Sequence, residues 1–152
     1  MKIIAQNKKA RHDYEILNEY EAGLSLLGSE IKSLRNGRAN IQEGYIYIDD
    51  NGDAIISNMN IPVYNMTSKY FNHKPTRNRK LLLHKKEINK LSGSIKTKGT
   101  TIVPLSLYIN DRNKAKLKIA IAKGKKLYDK RQDLKERDWK RDKERMLKEN
   151  NR

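Results

Sequence analysis

The sequence predicts a mainly β fold with short α-helices, in which an antiparallel barrel at residues 1–127 is followed by a separate tail at 128–152. Three observations predict it: short β-favouring runs are separated by turn signals, two short stretches have helical spacing, and the final stretch contains neither glycine nor proline. Only 36% of the 152 residues are hydrophobic, so a core cannot involve the whole chain. We therefore expect one domain with an appendage.

The first region, up to about residue 60, is predicted to be rich in strands. Tyr45–Ile48 and residues 54–56 are β-favouring, and between them lies the sequence Asp-Asn-Gly-Asp at 50–53. Because an Asn-Gly pair tolerates the positive φ angles of a tight turn, we expect these two runs to form a β-hairpin.

Two short helices are predicted on either side of a long loop. Residues 28–37 have helical spacing, with Ser29 available as a cap and Gly37 as the stop. Residues 65–79 are polar and are predicted to form the loop, and residues 80–91 then return to a helical pattern.

Two further strands are predicted before the tail. Residues 101–109 are β-branched and aromatic, and Pro104 within them indicates either an edge strand or a bulge. Residues 115–121 alternate strictly, which turns their apolar side chains inward. Several short strands with short helices are typical of a small barrel of the oligonucleotide-binding type. The cations left on the outer face of the last strand are Lys114, Lys116 and Lys118.

The tail differs in kind from the region before it. Its apolar residues are too sparse for a core-facing stripe, but opposite charges recur four residues apart, as in Asp133 with Arg137 and Glu144 with Lys148. We expect this segment to be disordered or fraying when free and helical when bound.

Net charge is +16, and it is unevenly distributed. Residues 1–60 carry 7 Lys/Arg against 9 Asp/Glu, a net of −2, whereas residues 61–110 and 111–152 each carry a net of +9. A basic half joined to a near-neutral half favours a nucleic acid as partner. A membrane surface is not favoured, since no amphipathic helix with a broad apolar face is evident. The absence of cysteine fits a cytoplasmic location.

Enzyme classes find little support in the sequence. None of the three histidines, His12, His73 and His84, has metal-ligand spacing, and no phosphate-binding loop or nucleophile motif is present. No catalytic residue, metal or cofactor is predicted. A pair of histidines acting on RNA as general acid and base stays open, beside the simpler interpretation that these are surface or RNA-contacting side chains.

Four basic clusters, at 8–12, 75–80, 123–126 and 129–131, carry the nucleic-acid hypothesis. Each alone is explained equally well as a solvated surface, but together with neighbouring aromatics they favour phosphate contacts and base stacking. Glu21 lies in the acidic region. It is either an exposed side chain with no specific role or a hydrogen-bond acceptor for a base or an arginine. The aromatic candidates are Tyr14, Tyr70, Tyr108, Tyr128 and Trp139. The basic clusters contribute Lys8, Lys9, Arg11, His12, Arg77, Arg79 and Lys80 as predicted RNA contacts.

Five segments resemble one known family in order and spacing, essentially from end to end. They are NKKARHDY at 7–14, EAG at 21–23, EIKSLR at 30–35, PTRNRKLLLH at 75–84 and GKKLYDKR at 124–131. Together they resemble the bacterial SsrA-binding protein family, also called small protein B.

The resemblance implies a barrel that binds the tRNA-like half of transfer-messenger RNA, in a protein that is monomeric when free. It further implies delivery of that RNA to stalled ribosomes for trans-translation, near the decoding centre, with the tail entering the empty mRNA channel as a helix. The alternative left open is a structural ribosomal protein with a basic extension. By matching position, the resemblance adds RNA-binding roles for Glu21, Leu82, His84 and Lys116. It also assigns the ribosome-engaging segment to Gly124, Lys125, Lys126, Tyr128, Asp129, Lys130, Arg131, Trp139, Met146 and Leu147.

Overall fold

The computed structural model describes residues 1–64, 72–125, 141 and 143–145. Within them, seven strands form one antiparallel sheet in the order β1-β6-β3-β4-β5-β2-β7, and β7 also pairs with β6. This last pairing closes the sheet into a barrel, with β1 added alongside β6. The predicted mainly β fold is therefore confirmed. The elements are β1 Lys2–Gln6, α1 Lys8–Asp13, β2 Tyr14–Leu24, α2 Gly28–Arg35, β3 Tyr45–Ile48, β4 Ala54–Ser57, β5 Arg79–Leu82, α3 Lys85–Ser94, β6 Thr100–Ile109 and β7 Ala115–Gly124.

The predicted hairpin is confirmed as β3 and β4, which pair from Tyr45 with Ser57 to Ile48 with Ala54. The Asp49 carboxylate organises the turn, since it accepts the backbone N–H groups of residues 51 and 53 at 3.1 and 2.8 Å. Gly52 has a φ of +81°, a backbone conformation that only glycine adopts without strain.

Helix α2 lies where the sequence predicts it, but Ser29 is not its N-terminal cap. The Glu30 carboxylate accepts the Leu27 backbone N–H at 2.8 Å, so a side chain in the first turn of the helix caps its N-terminus. The Ser29 hydroxyl is instead hydrogen-bonded to His73 Nδ1 at 2.8 Å. Gly37, at φ +83°, ends the helical stretch as predicted.

The helix predicted over 80–91 is wrong at its start. Residues 79–82 form β5, in which Arg79 and Leu81 are buried while Lys80 and Leu82 are exposed, a period of two. Helix α3 begins only at Lys85, after a cap in which Glu87 accepts the backbone N–H of residue 84 at 3.1 Å.

The last two strands confirm their predictions and resolve the alternatives for Pro104. Strand β6 pairs with β1, β3 and β7, so it is not an edge strand, and its register with β7 shifts between Pro104 and Ser106. Pro104 therefore lies at a bulge, where its missing N–H is tolerated. In β7 the inward residues are Leu117, Ile119 and Ile121, all buried.

Strand β2 is the longest and pairs with β7 from Tyr14 with Gly124 to Gly23 with Lys116. Inside the closed sheet lies the main core. Outside it, α1 covers a second apolar cluster formed by Ala10, Val103, Leu105, Ala120 and Ala122. The fully buried members of the main core include Leu34, Ile41, Ile56, Met59, Ile61, Leu81, Leu91, Leu107, Leu117 and Ile119.

Four residues of the tail are described, Arg141 and residues 143–145, and they are helical. The rest of 126–152 lies outside the described residues. The division into 1–127 and 128–152, and the folding of the tail on binding, therefore stay predictions.

Candidate nucleic-acid interface

Three of the residues predicted to bind RNA meet on the outer face of the barrel. Lys116 on β7 stands opposite Tyr108 of β6 and Gly23 of β2, and Gly23 in turn stands opposite Leu82 of β5. Glu21 is two residues before Gly23 on the same face of β2. Segments far apart in the sequence thus supply Glu21, Leu82 and Lys116 to one surface.

Leu82 is an exposed apolar side chain within this surface, with 53% of its area accessible. It is held against Gly23, where an added Cβ would lie 3.2 Å from the Leu82 Cβ. A larger residue at position 23 would push Leu82 aside, so the glycine allows β2 and β5 to approach closely. The result is an exposed apolar contact point in an otherwise polar surface.

Glu19 and Glu21 carry the acidic part of the surface, and they have different partners. Glu19 pairs with Lys118 at 3.0 Å and with Arg11 at 3.2 Å. The hydrogen bond from Lys118 is the main reason that the pKa of Glu19 lies below its ordinary value. Glu21 instead accepts a hydrogen bond from the Tyr108 hydroxyl.

Between α1 and this face runs a groove of about 600 Å³, which we call the α1 groove. Lys8 and Arg11 line it from α1, Lys118 from β7, and Ser106 with Tyr108 from β6. Glu19 and Glu21 line the groove as well, and Arg11 and Lys118 are both paired with Glu19. The groove therefore offers cations for phosphate contacts beside carboxylates that can accept hydrogen bonds.

Helix α1 presents four of the predicted RNA contacts, Lys8, Lys9, Arg11 and His12, all of them exposed. Its position is set by Asn7, which is buried. The Asn7 side chain accepts the Ala10 backbone N–H at 3.2 Å and donates to the Pro104 carbonyl at 2.9 Å. One side chain therefore caps the helix and ties it to the β6 bulge.

The prediction that Arg79 contacts RNA is wrong. Its side chain is fully buried, and its guanidinium donates to the Glu30 carboxylate, to the Met59 carbonyl at 2.6 Å and to the Pro75 carbonyl at 3.0 Å. Burial lowers the pKa of Arg79, and the charge of Glu30 opposes that shift. Arg79 thus has a structural role, with its donors directed inward.

The rest of the cluster at 75–80 is divided between interior and surface. Arg77 donates to the same Glu30 carboxylate at 2.5 Å and is about one-third exposed. Lys80 is exposed, with Asp53 at 3.4 Å. Of this cluster, Lys80 is the cation most available to a partner.

Two further expectations are corrected by burial. His73 is not a surface histidine, since its Nδ1 is bonded to Ser29 and its Nε2 to the Ile61 carbonyl at 2.7 Å. Tyr108 is only 8% exposed, so its ring is not available for base stacking. Burial, followed by the hydrogen bond to Glu21, raises the pKa of Tyr108.

His84 and Gly124 lie away from the centre of the face. His84 is exposed at the start of α3, two residues beyond Leu82. Gly124 ends β7, where an added Cβ would meet no atom within 4 Å, and the Lys125 backbone N–H donates to the Asp13 carbonyl at 3.0 Å. The predicted tail residues that lie outside the described part of the chain are Lys126, Tyr128, Asp129, Lys130, Arg131, Trp139, Met146 and Leu147; the aromatic candidate Tyr70 lies outside it as well.

Within residues 1–64, 72–125, 141 and 143–145, no group of three or more His, Asp or Glu side chains could hold a metal ion. Among the same residues, no helix combines the length and the apolar character that crossing a membrane requires.

Comparison with known proteins points to one family. The family model described as SmpB protein matches residues 4–149. An SsrA-binding protein of Wolbachia pipientis subsp. Culex pipiens (strain wPip) is 57% identical over 150 residues, covering 99% of both chains. One from Agrobacterium fabrum (strain C58) is 55% identical over 150 residues, covering 98% of this chain and 92% of the relative. A solved structure described as "tmRNA-SmpB: a journey to the center of the bacterial ribosome" matches with a TM-score of 0.66 and 45% identity, over 81% of this chain and 85% of that one.

Proposed function

Because this chain belongs to the SmpB family of SsrA-binding proteins, we propose that it binds transfer-messenger RNA and delivers it to stalled ribosomes for trans-translation. One observation carries the proposal beyond family membership. Glu21, Leu82 and Lys116, which come from three separate sequence segments, share one outer face beside the α1 groove.

On this proposal the barrel binds the tRNA-like half of the RNA. Lys8, Lys9 and Lys116 contact phosphates, whose recognition needs charge and not base identity. Leu82 supplies the apolar contact, and Glu21 supplies an acceptor. The protein acts by binding and positioning, and its place of action is the cytoplasm, where ribosomes work.

The tail from residue 128 is proposed to engage the ribosome at the decoding centre and in the mRNA channel. Its charges lie four residues apart, which supports a helix once ribosomal RNA surrounds it. The chain just before the tail is attached to the barrel at Lys125, through the backbone hydrogen bond to Asp13.

A reconstituted translation system tests this proposal directly. Ribosomes stalled on a message without a stop codon are supplied with transfer-messenger RNA, with or without this chain. We expect the stalled peptide to acquire the RNA-encoded tag only when the chain is present. Equal tagging without it contradicts the proposal, as does recovery of the chain in one copy from every translating ribosome, which a structural ribosomal protein would show.

A further inference from the structure

Two carboxylates, those of Glu19 and Glu21, lie in the surface proposed to bind RNA, and they have different partners. Arg11 and Lys118, the cations that line the groove nearby, both pair with Glu19. Among the described residues, no salt bridge involves Glu21. Its hydrogen bond comes from a neutral donor, the Tyr108 hydroxyl.

A phenol fixes a carboxylate without neutralising it. Tyr108 lies on β6, is 8% exposed, and is held between β1 and β7 through its pairs with Ile3 and Lys116. The pKa of Tyr108 is raised above its ordinary value of 10.0, so the hydroxyl remains a donor at neutral pH. One Glu21 oxygen accepts this bond, and Glu21 as a residue is exposed. A carboxylate has acceptor capacity left after one such bond.

A negative charge repels phosphate, so such a carboxylate weakens RNA binding unless it meets a donor. The donors that RNA offers are base N–H groups and ribose 2′-hydroxyls. From the geometry we infer that Tyr108 is a positioning residue, which holds the Glu21 carboxylate as a fixed acceptor for an N–H or O–H donor of the bound RNA. This inference rests on the proposed function and adds the identity of the contact.

Binding of the tRNA-like domain of transfer-messenger RNA, titrated at several salt concentrations, tests the inference. Glu21→Gln is expected to weaken binding about tenfold and Tyr108→Phe roughly three- to tenfold. Neither change should alter the slope of log affinity against log salt, since no phosphate contact is lost, whereas Lys116→Ala should reduce that slope by about 1.

Matched controls and a double variant separate positioning from simple structural damage. Glu15→Gln, on the same strand and exposed, and Tyr47→Phe, on β3, should leave affinity unchanged. In the Glu21→Gln background, Tyr108→Phe should have little further effect, because the two groups act as a unit. All titrations are made at a temperature where thermal unfolding curves show each variant fully folded.

The outcomes discriminate between the two proposals. If the wild-type chain does not bind the RNA, the proposed function fails. If it binds and Glu21→Gln tightens binding, or Tyr108→Phe has its full effect without Glu21, only the inference is overturned. RNA assembled with 2′-deoxy strands identifies the donor, since the Glu21→Gln penalty vanishes if the donor is a ribose hydroxyl and persists if it is a base N–H.

Discussion

The Glu30 carboxylate is fully buried and is shared by Arg77, which precedes β5, and Arg79, the first residue of β5. Glu30→Gln would leave the charge of the buried Arg79 without its counter-ion. Breaking a buried pair from one side costs about 3–5 kcal/mol, and we expect a loss of this size in the free energy of unfolding measured by urea titration. Glu87→Gln is the control, because Glu87 makes the same cap bond at the start of α3 without the arginines. A similar cost for both variants would mean that capping, and not ion pairing, stabilises α2.

The same carboxylate should make the free energy of unfolding depend on pH in the acidic range. Burial raises the pKa of Glu30, but the hydrogen bonds from Arg77 and from the Leu27 backbone, together with the charge of Arg79, outweigh it and leave the pKa below its ordinary 4.5. A folded-state pKa below the unfolded value means that the stabilisation is complete above about pH 4.5 and is lost as the pH falls further. The difference in unfolding free energy between wild type and Glu30→Gln, measured from pH 6 to pH 3, should therefore shrink. A constant difference would place the carboxylate outside the ion-pair network.

Arg79 and Lys80 show why the roles of neighbouring residues cannot be assigned from charge alone. Both belong to one basic cluster in the sequence, and charge alone assigns them the same role. The strand period separates them, since residue 79 faces inward and residue 80 outward. The inward position also needs the buried Glu30, 49 residues away, a pairing that no local pattern reveals.

Among the elements, those with a clean period or a turn signal were predictable, and those whose pattern is interrupted were not. The hairpin β3–β4 and the alternating β7 were found from the sequence. Strand β2 was not, because a bulge between Ile16 and Asn18 breaks its alternation and its outer face is charged. Strand β5 is short, and its last two residues belong to the run of leucines at 81–83, which fits either period.

The Asn7 side chain caps helix α1 and bonds it to β6, so Asn7→Ala tests the element as a whole. The change removes the cap and the bond to the Pro104 carbonyl, and we expect a loss of about 2 kcal/mol in unfolding free energy. RNA affinity should also fall, because the helix carries Lys8, Lys9 and Arg11. Asn89→Ala, on the exposed side of α3, is the matched control and should change neither quantity. Full RNA affinity in Asn7→Ala would show that α1 lies outside the interface.

At the scale of the whole molecule, the two ends of β7 have different proposed roles: one end belongs to the RNA-binding surface, and the other leads to the tail. Lys116 lies near one end, in the surface proposed to bind RNA, and Gly124 lies at the other, on the side of the predicted tail at 128–152. Eight residues of strand separate them by about 26 Å, at about 3.3 Å per residue. The long β2–β7 pairing makes this a stiff spacer, so the chain leaves β7 well away from Lys116 and Glu21.

Removing residues 128–152 should therefore separate the two activities. The tail holds 10 Lys/Arg against 7 Asp/Glu, only +3 of the net +16, so most of the attraction for RNA stays with the barrel. We expect the truncated chain to bind the tRNA-like domain within about threefold of wild type, with a similar salt slope. In the reconstituted system it should give no peptide tagging, whereas Lys116→Ala in the full chain should bind weakly yet tag when RNA is supplied in excess. Loss of RNA binding on truncation, or tagging without the tail, would mean that β7 does not separate an RNA-holding end from a ribosome-engaging end.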